Sequence, residues 1–382
     1  MMPAPRDELL QAILENPDDD QLRLVYADWL EERGDSARAE FIRLQIEYST
    51  LPCIDPRVSE ICRRWTTLLN SHQRAWLTGF PRWLRLEFRN GRDMTFNGCS
   101  FSRGFVNDVS NSADVVIGDL DHIVRLTPLT EITLIGDYDA GLPALLRSPS
   151  MAHIRRLNWW GYERGPLHEA SRLALHLEHA APLPGLKQFL VGWVHIGPEG
   201  ARCLARAPIL GSLTDLHIGR ALLSDAGATA LGGAAHLTQL QLLNLTGNEI
   251  GDAGLAGLAA ATGLPGLQTL DLAWNEIGDA GVAALAGSPL LNQLHTLELQ
   301  CNLIGDAGVV ALAGSPSSRN LRRLGLSNMP FTEAGVRALA KSPYLEQIES
   351  LSVRRFYSWK ADELSKDARA ILKQRFGERV HL

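Results

Sequence analysis

Leucines recur through the middle of the chain with a fixed period. Leu240, Leu267, Leu294 and Leu321 stand 27 residues apart, and the first three open the phrase Leu-x-x-Leu-x-Leu-x-x-Asn-x-Ile-Gly-Asp-Ala-Gly. A period of about 20–50 residues is typical of solenoids, in which each unit buries its apolar face against its neighbour. The pattern therefore predicts a stack of similar units.

Each phrase combines a strand pattern with a helix pattern. Apolar and polar residues first alternate, so Leu243 and Leu245 are expected to face inward and Asn244 outward. Leu255 and Leu258 then follow at helical spacing. The sequence thus predicts an α/β fold in which a parallel sheet forms the concave face and helices form the convex face.

Two polar positions of the phrase are predicted to be structural. The amides of Asn248, Asn275 and Asn302 can both donate to and accept from backbone groups in the turn between neighbouring repeats. The aspartate of each Gly-Asp-Ala-Gly run, such as Asp252, is expected to cap the convex helix that it precedes.

The period extends beyond its clearest copies. Strand starts continue in register from Leu186 to Ile348, whereas earlier starts at Leu129 and Ile154 are offset from it. We count about nine repeats within residues 111–358. Residues 359–382 are predicted to form a C-terminal cap, because the last apolar layer of a solenoid must be covered.

Residues 1–50 have the pattern of a small all-α domain. Its second helix is expected to bury five apolar residues, namely Leu22, Val25, Tyr26, Trp29 and Leu30. Residues 51–110 are predicted to form a helical linker and an N-terminal cap for the repeats, with a further helix from Asp55 to Leu77.

Two parts of the chain resemble known families. The repeats are similar to the ribonuclease-inhibitor-like class of leucine-rich repeats, over about residues 129–358. The segment Leu22–Asp35 (LRLVYADWLEERGD), followed by Arg38–Gln45 (RAEFIRLQ), resembles the small repeat-companion domain found ahead of leucine-rich repeats in planctomycete and myxobacterial proteins. The resemblance implies a bacterial protein with this pairing of domains, and it implies no activity.

Composition narrows the classes of partner. The formal net charge is −6, with 37 basic and 43 acidic side chains, so no global charge attracts nucleic acid or an anionic membrane. No secretory signal or apolar run of membrane-spanning length is found. The five cysteines are odd in number and form no CxxC pair. We therefore expect a cytoplasmic, monomeric protein that binds neither nucleic acid nor membrane.

Signatures of catalysis or cofactor binding are not found. The chain has no phosphate-binding loop with its lysine, no Gly-x-Ser-x-Gly elbow and no His-Glu-x-x-His. His168, His176 and His179 lie near one helical face, but unsupported histidines on an amphipathic helix are usually solvated. Cys301 has no base assigned to it by the sequence. We predict a protein that is not an enzyme and has no cofactor and no metal.

The outward positions of the strands are the candidate binding surface. Tryptophan and arginine are enriched at binding hot spots, and the surface also has an acidic middle and a basic end. The predicted partner-binding residues are Trp160, Trp193, Asp215, His217, Asp271, Trp274, Glu298, Gln300, Arg323 and Arg354. The tryptophans have a second interpretation, in which each folds over the rim and packs on a neighbouring repeat.

The predicted function is that of a protein–protein interaction scaffold, which binds an unknown protein on the concave face. One alternative is a regulator of an enzyme, either an inhibitor or an activator of a small GTPase, by analogy with similar repeats. Another is a binder of carbohydrate or cell-wall fragments through Trp160, Trp193 and Trp274. Clustered indoles would favour the carbohydrate, and a flat surface of mixed charge would favour the protein.

Overall fold

The computed structural model describes residues 5–52, 54–84, 98–136, 141–161, 174–354 and 364–382. These divide into two compact units. The first unit is Met1–Ile135 with Ala140–Leu157, and the second is Gly136–Asp139 with Asn158–Leu382. The domain boundaries predicted at residues 50, 110 and 358 remain predictions.

The first unit begins with helices and continues into strands. Its helices are α1 (Pro5–Glu15), α2 (Asp20–Glu32), α3 (Ser36–Thr50), α4 (Arg57–Trp76), α5 (Ala113–Ile123) and α6 (Leu142–Arg147). Its strands are β1 (Gly98–Ser102), β2 (Phe105–Asn111) and β3 (Glu131–Ile135). Strand β1 pairs antiparallel with β2, and β2 pairs parallel with β3. Short 3-10 helices lie at Arg82–Leu84 and Pro149–His153.

The N-terminal helices of this unit pack around one apolar cluster. Its buried members come from α1, α2, α3 and β2, and are Ile13, Tyr26, Ala27, Leu30, Ala39, Ile42, Ile46 and Phe105. The predicted buried face of α2 is wrong at Val25, which is 51% exposed. Arg23 is buried instead, and its guanidinium donates to the backbone oxygens of Pro17 and Asp19 at 2.6 and 3.2 Å.

The second unit repeats a strand and a helix. Strand β4 (Arg156–Trp160) is divided between the units, and β5 to β12 are Gln188–Gly192, Asp215–Gly219, Leu242–Asn244, Thr269–Asp271, Thr296–Glu298, Arg323–Gly325, Ser350–Ser352 and Val380–His381. Helices α7 to α14 are Gly197–Arg206, Ser224–Gly232, Asp252–Ala259, Asp279–Ala286, Pro289–Gln293, Asp306–Gly314, Glu333–Lys341 and Lys366–Phe376. Residues 174–178 are also helical, and 3-10 helices lie at Pro208–Leu210, Pro316–Asn320 and Gly377–Arg379.

The leucine period sets the register of the parallel strands. Each strand from β5 to β11 begins two residues after a repeat start, and equivalent residues become register partners from strand to strand. Leu243, Leu270 and Leu297 are such partners, and all are fully buried. The predicted α/β fold, with parallel strands and a helical region at its N-terminus, is confirmed.

Buried asparagines join successive repeats, as the sequence predicts. The Oδ1 atom of Asn275 accepts hydrogen bonds from the backbone amides of Asn248 and Ile250, at 2.9 and 3.1 Å. Its Nδ2 atom donates to the carbonyl oxygens of Leu245 and Leu272, at 3.0 and 2.9 Å. One amide therefore satisfies backbone groups on two repeats at once, which matters because unpaired buried polar groups are costly.

The aspartates of Gly-Asp-Ala-Gly do not cap the helix that they precede, contrary to the prediction. Asp252 is the first residue of α9, and the N-cap residue Gly251 makes no side-chain capping bond. The Oδ1 atom of Asp252 instead accepts hydrogen bonds from the amides of Gly278 and Gly281 in the next repeat, at 2.7 and 2.8 Å. A Cβ atom on Gly281 would lie 2.7 Å from this oxygen, so glycine makes room for the neighbour's carboxylate.

None of the helices within the described residues combines the length and the apolar character that crossing a membrane would need.

We predict that Leu270→Ala lowers the free energy of unfolding by roughly 2–5 kcal/mol, because a fully buried large side chain is truncated. Equilibrium chemical denaturation would measure the loss. The matched control is Thr269→Ala on the same strand, where the side chain is only half-buried. A negligible effect of Leu270→Ala would contradict the strand register.

We also predict that Asp279→Ala lowers the free energy of unfolding by roughly 1–3 kcal/mol, because the amides of Gly305 and Gly308 lose their shared acceptor. The control is Glu276→Ala, which removes an exposed carboxylate from the same repeat. Equal losses from the two variants in chemical denaturation would show that the bond between repeats contributes little.

Candidate functional site

The outward face of the second unit's sheet is built from stacked equivalent positions. One row, in register from β6 to β10, contains His217, Asn244, Asp271, Glu298 and Gly325. The residues that flank a member of this row along its strand point into the core, as Leu243 does beside Asn244. The register therefore brings Asp271 and Glu298 onto adjacent strands.

A second row follows the strands, and its backbone is left-handed. We call it the left-handed row; its members, with φ between 53° and 70°, are Trp193, Arg220, Gly247, Trp274, Cys301 and Asn328. Each backbone amide of the row donates to a carbonyl oxygen of the next repeat, as Trp274 does to Gln300 at 2.8 Å. A tryptophan with positive φ is uncommon, because its Cβ is crowded by the backbone, so neighbouring bonds must hold this conformation.

The three candidate tryptophans differ in exposure and contacts. Trp160 is half-buried, and its ring lies against the backbone of Gly192, where a Cβ atom would approach Cζ3 to 2.5 Å. Trp193 is also half-buried, and the guanidinium of Arg220 lies 4.1 Å from the centre of its ring. Trp274 is 50% exposed. Packing on a neighbouring repeat thus describes Trp160 and Trp193 better than Trp274.

The acidic pair Asp271 and Glu298 is half-buried and hydrogen bonded. Asp271 accepts from the side-chain amide of Asn244 at 3.1 Å and from the backbone amide of Ala273 at 2.9 Å. Glu298 accepts from the side-chain amide of Gln300 at 2.6 Å. Burial raises the pKa of both carboxyl groups, and the charge of Asp271 raises the pKa of Glu298 further.

Gly325 leaves an opening beside this pair. It is the register partner of Glu298 on the next strand, and a Cβ atom at this position would overlap Glu298 Oε2. The side chains of Glu298 and Gln300 therefore occupy the space above Gly325 on β10, because glycine has no side chain there. Sequence reasoning selected Glu298 and Gln300 but missed the part of Gly325, because only the register places the three together.

The remaining candidates lie on β6, on β10 and just after β11. Asp215 is half-buried and accepts from the hydroxyl of Thr214 at 2.6 Å, and His217 is half-buried on the same strand. Arg323 is exposed at the start of β10, and its charge opposes the rise in the pKa of Glu298. Arg354 is exposed just after β11, and its backbone amide donates to the hydroxyl of Ser327 at 2.9 Å.

Metal binding gains no support from the described residues, among which no group of three or more His, Cys, Asp or Glu side chains is placed to hold an ion. His176 and His179 are within the described part of the chain, whereas His168 lies outside it. Cys301 is a free thiol on the left-handed row.

Sequence reasoning missed a second acidic site, which lies in the first unit. Asp108 on β2 is half-buried and faces Glu131 on β3 as its register partner. Burial and the charge of Glu131 raise the pKa of Asp108 to about 7. A hydrogen bond of 3.0 Å from the hydroxyl of Thr133 and the charge of Arg156 act in the opposite direction and lower this pKa. The residue was missed because no sequence repeat marks β2.

We predict a loss of stability between about pH 4 and pH 7 that depends on Asp108. A raised pKa in the folded state favours the protonated form, so the stabilisation from protonated Asp108 is complete below the ordinary pKa of 3.8 and is lost as the pH rises through about 7. Asp108→Asn should flatten the dependence by roughly 1–3 kcal/mol across this range in chemical denaturation. The exposed Asp367→Asn is the control. An unchanged slope in Asp108→Asn would contradict the prediction.

One family of known sequences matches the region that contains the clearest repeats. The sequence model of a family described as Leucine Rich repeat matches residues 236–259, 265–286 and 292–313. No curated protein matches the chain.

Three solved structures are similar in fold to the chain. A chain of the Rad7 and Elc1 complex in yeast has 14% identity and a TM-score of 0.44, over 100% of this chain and 95% of that chain. The internalin InlF of Listeria monocytogenes has 19% identity and a TM-score of 0.41, over 70% and 73%. A Bacteroides fragilis protein has 15% identity and a TM-score of 0.36, over 59% and 70%.

The matched segments coincide with the strands, buried asparagines and helices described above. Residues 236–259 contain β7 and α9, residues 265–286 contain β8 and α10, and residues 292–313 contain β9 and most of α12. Residues 236–313 therefore contain three leucine-rich repeat units, and the described residues have the α/β fold of a leucine-rich repeat solenoid.

Proposed function

We propose that the protein is a non-enzymatic scaffold that binds another protein on the outward face of its sheet, the face that the sequence predicts to be concave. The observation that supports this best is the half-exposed Trp274 in the same repeat as the half-buried Asp271, whose register partner is the half-buried Glu298. A large aromatic anchor next to desolvated charges is the composition of a protein-binding hot spot.

The backbone around Trp274 favours binding because it is fixed. The amide of Trp274 donates to the carbonyl oxygen of Gln300, and the amide of Gly247 donates to that of Ala273. The indole is thus carried by a backbone held from both neighbouring repeats. Because little backbone freedom remains to be lost on association, the entropic cost of using this side chain is small.

The charges of the surface favour a partner of mixed charge. A cationic side chain placed against Asp271 and Glu298 would stabilise their ionised forms, which burial disfavours. Arg323 and Arg354 offer positive charge to acidic groups at the other end of the surface. Strands β5 to β11 span about 29 Å at a spacing of roughly 4.8 Å, a length that suits a protein better than a small molecule.

The alternative functions receive less support from the same geometry. Trp193 and Trp274 occupy equivalent positions three repeats apart, on the order of 14 Å, and Trp160 packs on Gly192. Trp193 and Trp274 therefore do not form the adjacent platform that a carbohydrate binder requires. Regulation of an enzyme rests on analogy of fold, and we find no observation that favours it over a general scaffold.

The proposal also includes the finer expectations from the sequence. The segment Leu22–Asp35 supports a repeat-companion domain and a bacterial protein, and the odd, scattered cysteines support a cytoplasmic one. A monomer is proposed because the sheet face is assigned to a different protein.

The double variant Trp274→Ala with Asp271→Asn tests the proposal. We expect it to reduce recovery of the natural partner by at least about 30-fold, because hot-spot truncations cost about 2 kcal/mol or more. Affinity purification from the native cell with quantitative mass spectrometry would measure the recovery. The melting temperature should change little, because asparagine retains an oxygen for the amide of Ala273.

Val310→Ala is the matched control, since Val310 on helix α12 is also 50% exposed. It should leave partner recovery unchanged. Equal losses from the control and the double variant, or full recovery with the double variant, would contradict binding on the sheet face.

A further inference from the structure

The first unit contains an open cavity of about 440 Å³ between the N-terminal helices, the β1–β2 hairpin and the segment that follows α5. Its lining is mainly aromatic and apolar, and includes Trp29, Trp76, Phe80, Phe101 and Phe105. Cavities of about 300–1,000 Å³ with apolar walls and a few polar groups are the usual size and composition of small-molecule sites. The polar groups of this cavity therefore indicate what it could hold.

Arg38 and Asp35 are the charged residues that line the cavity, and aromatic rings surround the Arg38 guanidinium. The guanidinium carbon lies 4.6 Å from the ring centre of Trp76 and 5.4 Å from that of Phe101. The rings of Phe41 and Phe105 are at 5.7 and 5.8 Å. Burial lowers the pKa of Arg38 to about 10, so the side chain stays positively charged at neutral pH.

One nitrogen of this guanidinium lacks a hydrogen-bond acceptor, although the charge of Asp35 is close enough to favour the protonated form. The Nη1 atom of Arg38 is buried and has no hydrogen-bond partner among the residues that the structure describes. The nearby Asp35 carboxylate accepts the backbone amide of Arg38 at 3.1 Å and so serves as the N-cap of α3. Arg23 differs in part, because its two Nη atoms donate to backbone oxygens, although its buried Nε atom also lacks a partner among the described residues.

Trp29 adds a second unsatisfied donor to the cavity wall. Its indole Nε1 atom is buried without a hydrogen-bond partner within the described part of the chain. Leaving a buried donor unpaired is costly, and a buried charge more so. Two such donors therefore occur on residues that line one cavity.

We propose that this cavity binds an organic carboxylate with an aromatic or other bulky apolar body. The carboxylate accepts hydrogen bonds from the Arg38 guanidinium, and the apolar body packs among the rings. A carboxylate matches the planar guanidinium and carries the single negative charge that offsets it. Inorganic phosphate fits less well, because it carries more charge and would leave the apolar walls uncovered. The site lies in the first unit and does not depend on the function proposed for the sheet face.

Isothermal titration calorimetry of the full chain tests the proposal with four probes. They are 1-naphthaleneacetate, its uncharged analogue 1-naphthaleneacetamide, acetate and inorganic phosphate. We expect saturable 1:1 binding of 1-naphthaleneacetate, and binding of the other three weaker by about tenfold or more, because each lacks either the carboxylate or the apolar body. Equal binding of the acid and the amide, equal binding of acetate or phosphate, or no binding of 1-naphthaleneacetate would overturn the proposal.

Variants assign the binding to the cavity. Arg38→Gln should weaken binding of 1-naphthaleneacetate by about tenfold to a hundredfold, as expected for loss of a charge-assisted hydrogen bond. Arg57→Gln is the control, since it removes an exposed arginine that pairs with Asp55 and Glu47. Unchanged binding in Arg38→Gln would contradict the assignment.

A second variant covers the case in which Arg38→Gln does not fold, which circular dichroism would show. Trp29→Phe keeps the ring in the cavity wall and removes the indole donor, and it should weaken binding of the acid severalfold while leaving that of the amide unchanged. An equal loss for both probes would show that Trp29 acts through packing alone and would contradict its assignment as a donor.

Discussion

The structure depends on buried side-chain hydrogen bonds that join each repeat to the next. Asn248, Asn275 and Asn302 are at most 7% exposed, and their amides contact backbone groups on two successive repeats. Apolar stacking is tolerant of small shifts, whereas a buried amide is satisfied only in one register. These bonds therefore convert a stack of similar apolar units into a sheet with one fixed alignment.

The fixed alignment determines what the sheet face can present. Equivalent positions form rows, so the charge of Asp271 is placed next to that of Glu298, and Gly325 leaves space for both Glu298 and Gln300. The left-handed row results from the same alignment, because each of its amides bonds to the following repeat. A surface built in this way is rigid, and its binding properties depend on which residue occupies each position in a row.

The sequence predicts the positions within a repeat better than the contacts between repeats. The leucine period locates the strands, since β5 to β11 each begin two residues after a repeat start, and the spacing of Asn275 predicts its structural role. The partner of Asp252 could not be predicted, because spacing within one phrase does not show that its carboxylate reaches Gly278 of the next. Likewise, Arg220 covers Trp193 from the following repeat.

In the first unit, contacts between residues distant in sequence are even harder to predict. Helical periodicity predicts that Val25 is buried and does not indicate that Arg38 is surrounded by aromatic rings. Three of those rings are far from Arg38 in sequence, namely Trp76, Phe101 and Phe105. Only the folded chain brings them together. The two candidate sites therefore differ in origin, since the sheet face follows from the repeat and the cavity follows from long-range packing.

The central claim is that the partner contacts the outward sheet face, and site-specific photo-crosslinking in the native cell tests it most directly. A photoreactive phenylalanine analogue would replace Trp274 in one variant and the equally exposed Val310 in another. We predict that position 274 crosslinks to one defined protein and that position 310 does not. Crosslinking of that protein from position 310 and not from position 274 would contradict the assignment of the binding face.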